Sequence, residues 1–361
     1  MKKIDSTLII HITRSASSTS MPWNDLHNYL KESPKVFSKF LVVNSFFGFL
    51  NEKKDLNNER FFEVGFFMLP LAIKKLSNEY PKKRVIIHSH NAALFAKTIA
   101  SSYFLGFKCV FNIHNDWRNF NYYQKFNIAL AAFFKKQLIC VSKAVKDSLD
   151  NRTYIFSRSN LLFIDNSIDS NFFDKYFPVI DSFDNREKRI VIIARMVPQK
   201  NTQLILKIID NIDSSWVIDW FGEGIEKKDI LEHLKKTNPK CKVNINGIVP
   251  REEVFKVLYK SQIYLACSKW EGIGVANLEA GALGCIPILS NIPPHEDISR
   301  KTGAIICDIA NIDNWLEEIS KITTDLAHSN KLSKEISSST KIAYARDEMI
   351  NKYLDFYYKC L

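Results

Sequence analysis

No apolar run in the sequence approaches the ~20 residues needed to cross a bilayer, so no membrane-spanning helix is expected. No Cys-x-x-Cys pair occurs, and the seven cysteines are odd in number and widely spaced. Reduced, mostly buried thiols in a cytoplasmic protein follow. The first residues, MKKIDSTLIIHIT, carry two lysines, but an aspartate follows and the apolar run is too short for a signal peptide. Asp-x-Asp, the usual sign of a Mg²⁺-bridged sugar nucleotide, is missing, and no His, Cys or carboxylate set has metal spacing. No metal and no cofactor are expected. Gly-x-Gly-x-x-Gly, the Walker A sequence and Gly-x-Ser-x-Gly are likewise missing, and there is no low-complexity segment or short repeat.

What is present is ordinary in bulk and uneven in charge. The chain has 361 residues, 46% apolar and 25% charged, which suits a soluble globular protein of two domains. Residues 1–180 hold 25 Lys and Arg against 14 Asp and Glu, whereas residues 181–361 hold 25 of each. All the excess positive charge therefore lies in the first half, which calls for an anionic partner there: nucleic acid, an anionic membrane surface or a phosphate-bearing lipid.

Short apolar runs alternate with helix-like stretches. In the first half these runs are TLIIHIT (7–13), KFLVVNS (39–45), RVIIHSH (84–90), KCVFNIH (108–114), QLICVS (137–142) and NLLFIDN (160–166). A mixed, turn-rich segment at 167–188 reads as a linker, and the alternation then restarts. Strands separated by helices imply parallel sheets covered on both faces. Two such series predict two Rossmann-like domains facing a central cleft. Ligands in such sheets bind beyond the carboxyl ends of the strands, where His11, Arg14, His90, His114, Asn166, Arg195 and Glu223 fall.

The stretch KWEGIGVANLEAGALGCIPILSN (269–291) sets Glu271 and Glu279 among glycine, alanine and aliphatics. A helix starting near Gly274 carries Glu279 in its second turn and leaves Glu271 in the loop before it. The first amides of a helix attract anions such as phosphate, while a carboxylate suits neutral hydroxyls. Phosphate plus hydroxyls describes a nucleotide sugar; the plainer reading is a pair of solvated glutamates. In IIARMVPQKN, Arg195 ends a strand and Lys200 follows near a helix start, so the two cations can neutralise a diphosphate. Gly222 and Gly224 in WFGEGIEKKDI suit a close-approach turn.

The ordered set ARMVPQKN, FGEG, NGIVPREEV and CSKWEGIGVANLEAGALGCIPILSN resembles the retaining glycosyltransferases of family 4, which have the GT-B fold. The likeness is close over about 189–310. It is looser in the first half, where IHSHN, NIHND, CVSKAV and IDNSID keep the family's order. It implies an acceptor domain over 1–178 joined by a C-terminal crossover helix at about 343–361, and a nucleotide-sugar domain over 187–342. It also implies roles. Arg195 and Lys200 hold the donor diphosphate and Glu279 the ribose hydroxyls. Glu271, with amides around Gly272, Ile273, Gly274 and Val275, positions the sugar, and Gly222 lies beside the donor. His114 approaches the sugar from the first domain, so the catalytic set is His114, Glu271, Arg195 and Lys200. Retention follows from front-face attack, with the donor phosphate helping to accept the proton. The sequence departs from the family in three places: a serine-rich, glycine-free loop at 14–23, Ser167 and Ala194, the last two standing where glycine is common.

The expected activity is metal-independent transfer of a hexose to a glycan or lipid-linked glycan acceptor in surface polysaccharide biosynthesis. The expected place is the cytoplasm, peripheral at the inner face of an anionic membrane, with FFEVGFFMLPLAI (61–73) as a candidate membrane contact. A sugar-nucleotide epimerase or hydrolase of the same fold is the alternative enzyme. A basic nucleic-acid-binding protein is the non-enzymatic one, but no recognised module or interleaved aromatic-basic pattern supports it, so no nucleic acid is expected.

Overall fold

The structure is a computed structural model describing residues 7–14, 26–27, 30, 36–45, 50–54, 60–177 and 182–361. The chain divides into two compact units, Met1–Asn166 with Asp347–Leu361, and Ser167–Arg346. Beyond Arg14, the serine-rich loop at 14–23 lies outside the described residues.

Among the described residues, the first unit has eight strands: β1 (Thr7–Thr13), β2 (Val36–Ser45), β3 (Asn51–Lys54), β4 (Arg60–Gly65), β5 (Arg84–Ser89), β6 (Lys108–Ile113), β7 (Gln137–Cys140) and β8 (Leu161–Phe163). Their order is β3-β4-β2-β1-β5-β6-β7-β8. Every pairing is parallel except β3 with β4. Helices α1 (Leu69–Asn78), α2 (Phe95–Leu105), α3 (Tyr122–Phe133), α4 (Lys143–Asp147) and α5 (Asn151–Ser157) connect the later strands. Leu8, Ile10, Ile87 and Phe111 belong to one core cluster, with residues of α1, α2 and α3. Ile9, Ile86, Val110 and Ile139 belong to another, with Met349, Tyr353 and Tyr357 of the last helix, Arg346–Cys360. Strands buried on both faces have no polar alternation, which is why they read as continuous apolar runs.

Two strands escaped the sequence pattern. β3 is four residues, NEKK, paired antiparallel at the sheet edge. Short charged edges guard against further pairing and carry no apolar signal. β4 opens the stretch singled out as a membrane contact, and that stretch is divided: Val64, Leu69, Ala72 and Ile73 are core, while Phe67 and Leu71 are exposed.

Among the described residues, the second unit has six strands: β9 (Glu187–Ile193), β10 (Val217–Phe221), β11 (Lys242–Gly247), β12 (Ser261–Ala266), β13 (Ile286–Ser290) and β14 (Ile305–Cys307). Their order is β11-β10-β9-β12-β13-β14, all parallel. The chain winds outward one way from β9 and then crosses to β12, so the topological switch point lies between these two strands. The helices are α6 (Ser170–Tyr176), α7 (Thr202–Asn211), α8 (Lys227–Thr237), α9 (Arg251–Lys260), α10 (Val275–Ala282), α11 (Pro293–Thr302), α12 (Ile312–Thr324) and α13 (Leu326–Ala343). Much of the segment read as a linker belongs to this unit. Phe173 of α6 packs edge-on against Phe255, centroids 5.1 Å apart, and Asp169 pairs with Arg346 at 2.7 Å.

Candidate functional site in the second unit

The loops leaving β9 and β12 meet at the switch point. Gln199 stitches them together: its carbonyl accepts from the Lys269 amide at 2.9 Å, and its side-chain amide donates to the Trp270 carbonyl at 2.9 Å. Arg195 is exposed, and its Nη2 donates to Gln199 Oε1 at 3.1 Å. Lys200 ends a 3₁₀ turn opened by Pro198. Its ammonium forms an ion pair with Glu271 Oε1.

Glu271 also accepts from Ser268 Oγ at 2.8 Å. Burial alone would raise its carboxyl, but the Lys200 ammonium and the Ser268 hydroxyl hold it below the usual carboxylate range. His295, from α11, is fully buried. Ser290 Oγ donates to the Ser268 carbonyl at 2.6 Å, so it can only accept from His295 Nδ1, 3.0 Å away. Nε2 is then the lone-pair nitrogen, and it is a buried atom with no hydrogen-bond partner. Burial lowers this imidazole to about 4, against the pull of Glu271. Sequence reading missed His295, whose only signal is its place two residues after the Pro293 that opens α11.

Gly272 and Ile273 are buried and lead into α10. Gly274 caps that helix with φ 76°, a backbone conformation that favours glycine. The first two amides of α10, those of Val275 and Ala276, lack helical partners, whereas the Asn277 amide donates to the Gly274 carbonyl at 2.9 Å. Glu279 sits in the second turn and is 4% exposed. Its partner is Arg251, at the first position of α9: Arg251 Nε donates to Glu279 Oε1 at 2.7 Å, and Nη2 reaches the same oxygen. A buried carboxylate needs such compensation. Arg251 lies within NGIVPREEV, the third motif of the resemblance, but no role had been attached to it.

The Phe-Gly-Glu-Gly turn works by close approach. A Cβ on Gly222 would lie 2.2 Å from the Ala194 carbonyl oxygen, and one on Gly224 2.2 Å from that of Met196. The Met196 amide donates to the Glu223 carbonyl at 3.0 Å, and the Glu226 amide to the Met196 carbonyl at 3.0 Å. The turn thereby holds the backbone on either side of Arg195.

His114, in the first unit, lies beside His90. It belongs to a set of histidines at the ends of β1, β5 and β6. His11 Nδ1 and His90 Nε2 are 2.8 Å apart, and His90 Nδ1 and His114 Nε2 3.3 Å apart. Ligating atoms of His11, His88 and His90 lie within 4.8 Å of one another, a cluster assembled from residues up to 79 positions apart and so invisible to spacing. Hydrogen bonds engage these rings: Tyr357 and Asn112 flank His88 at 2.6 and 2.9 Å, and Asn112 donates to Tyr353 at 2.7 Å. Burial lowers His88 to about 4 and His114 to about 3, and holds His11 and His90 well below the ordinary histidine value.

Residues 177–338 match the family Glycosyl transferases group 1. The chain is 28% identical over 248 residues to the phosphatidylinositol N-acetylglucosaminyltransferase GPI3 subunit of Saccharomyces cerevisiae (strain YJM789), covering 65% of this chain and 54% of that protein. It is 25% identical over 244 residues to the UDP-Gal:alpha-D-GlcNAc-diphosphoundecaprenol alpha-1,3-galactosyltransferase of Escherichia coli, covering 63% and 61%. The matches thus span little more than half the length of these curated relatives. Among solved structures, Anabaena HepE in complex with UDP and glucose has a TM-score of 0.74 at 10% identity over 98% of this chain and 100% of that one. Sucrose-phosphate synthase from Thermosynechococcus elongatus has a TM-score of 0.75 at 12% identity over 98% of each. Two Rossmann-like units of this kind are the GT-B fold. The fold of the chain is GT-B, and the match to the group 1 glycosyltransferases lies in its second unit.

Proposed function

We propose that the chain is a metal-independent retaining glycosyltransferase. It moves a hexose from a nucleoside-diphosphate sugar to a lipid-linked glycan acceptor in surface polysaccharide biosynthesis, at the cytoplasmic face of a membrane. The observation that carries this reading is the meeting of Lys200 and Glu271 at the switch point of the second unit. A cation for phosphate and a carboxylate for sugar hydroxyls share one spot, ahead of the open amides of α10. The names of relatives support the donor and acceptor classes, since the Escherichia coli relative is named for a UDP-linked donor and a diphosphoundecaprenol acceptor.

In this reading Glu279 and Arg251 hold the ribose edge, and Arg195 and Lys200 neutralise the diphosphate. An acceptor hydroxyl attacks the anomeric carbon from the side the diphosphate leaves. The bond from that carbon to the phosphate oxygen breaks, and the hydroxyl proton passes to the departing phosphate. Charge developing there is met by the two cations and helix amides, which is why no metal is needed.

A thermal-shift screen of nucleoside diphosphates and their sugars, followed by transfer assays in excess EDTA, tests this. Stabilisation by one nucleoside diphosphate and transfer that survives EDTA are expected. Donor turnover that needs no acceptor would favour an epimerase or hydrolase, and loss in EDTA rescued by Mg²⁺ or Mn²⁺ would overturn metal independence.

A further inference from the structure

Helix α3 is apolar on two opposite sides. Ile128, Ala131 and Ala132 are buried. Tyr122, Phe126 and Phe133 are 93%, 62% and 60% exposed, and their spacing places them on one stripe of the helix. Helix α5, which packs beside it, continues the patch with Ile155, 69% exposed, and Phe156, 51% exposed. The Phe133 and Phe156 rings lie 5.8 Å apart, and Phe134 extends the group beside Phe133. A helix apolar all round is ordinarily buried, and a contiguous exposed patch of this kind marks a docking surface.

The charges name the occupant. Between residues 122 and 158 there are seven lysines and arginines against two aspartates. Aromatic rings set among basic side chains match the boundary between headgroups and acyl chains of an anionic bilayer. A second copy of the chain fits worse, because a two-fold interface sets the same basic rim against itself. We propose that the exposed face of α3 and α5 is the surface by which the protein sits on an anionic membrane. The stretch 61–73 offers a smaller exposed apolar surface, Phe67 and Leu71. The inference rests on the proposed function only for its purpose, access to a lipid-linked acceptor; the binding itself needs no substrate.

The test is co-sedimentation of the full chain with vesicles of phosphatidylcholine, alone or mixed with phosphatidylglycerol. The wild type should bind the mixed vesicles, more weakly as salt rises. The combined variant Tyr122→Ser, Phe126→Ser, Phe133→Ser should bind them at least about tenfold more weakly, while melting and binding nucleoside diphosphate like the wild type. Lys135→Glu, at an exposed side chain, should also weaken binding to mixed vesicles. Three results would overturn the proposal: no sedimentation of the wild type with either vesicle, wild-type binding by both variants, or a dimer in analytical ultracentrifugation that the aromatic variant converts to monomer. Loss of nucleoside-diphosphate binding by the wild type would instead overturn the transferase reading and leave the vesicle result standing.

Discussion

Lys200 and Glu271 are ion-paired across 71 positions of sequence, with side chains only 17% and 12% exposed. The pair means that a diphosphate must compete with a carboxylate for the lysine. Glu271→Gln removes the competitor, so nucleoside-diphosphate affinity should rise about twofold to fivefold while sugar transfer falls. Lys200→Met leaves Glu271 buried without its cation. It should weaken diphosphate binding and lower stability by about 3 kcal/mol. Calorimetry and urea denaturation read these effects, and unchanged affinity in both variants would show that the pair is structural only.

Gly224 and Gly106 separate crowding from backbone strain. A Cβ on Gly224 would meet Met196 backbone atoms at 2.2 to 2.7 Å, whereas Gly106 has φ +69° and nothing within 4 Å. Backbone cannot swing aside, so Gly224→Ala should cost about 2–3 kcal/mol and weaken diphosphate binding by shifting the loop that carries Arg195. Gly106→Ala should cost about 1 kcal/mol and leave binding alone. Denaturant midpoints with titrations of both variants check this; equal behaviour would contradict the close-approach role.

The buried histidines predict an acid limit. His88 and His295 are lowered to about 4 and His114 to about 3, all by burial. Below about pH 6.5 the unfolded chain takes up protons that the folded chain refuses, so stability falls as pH falls. Each such histidine removes up to about 1.4 kcal/mol per pH unit until its folded value is reached. Urea midpoints should be level above pH 7 and drop steeply between 6.5 and 4. His295→Gln should make that drop shallower. A level midpoint from pH 7 to pH 5 would contradict neutral, buried rings.

Much of this was legible in the sequence because parallel strands buried on both faces announce themselves. TLIIHIT coincides with β1, and the helix expected to begin near Gly274 runs Val275–Ala282. The lysine, arginine and glutamates were legible as residues but not as pairs. Glu271 meets Lys200 only because β9 and β12 are neighbours at the switch point, and Glu279 meets Arg251 only because α9 and α10 pack together. His295 and the histidine set at the ends of β1, β5 and β6 were hidden for the same reason: contact order, not spacing, brings them together. β3 escaped because a charged edge strand has no apolar period.

The most direct measurement is isothermal titration of the nucleoside diphosphate into the wild type, Glu279→Gln and Glu271→Gln. Glu279 is 4% exposed, is paired with Arg251 and lies in the second turn of α10. If it accepts ribose hydroxyls, its amide variant loses a charge-assisted hydrogen bond of roughly 1.5–3 kcal/mol. Binding should then weaken about 10- to 150-fold. Glu271→Gln should bind about twofold to fivefold more tightly than the wild type, yet transfer far less sugar. Wild-type affinity and normal transfer in both variants would contradict this division of roles and leave the two glutamates as partners of Lys200 and Arg251 alone.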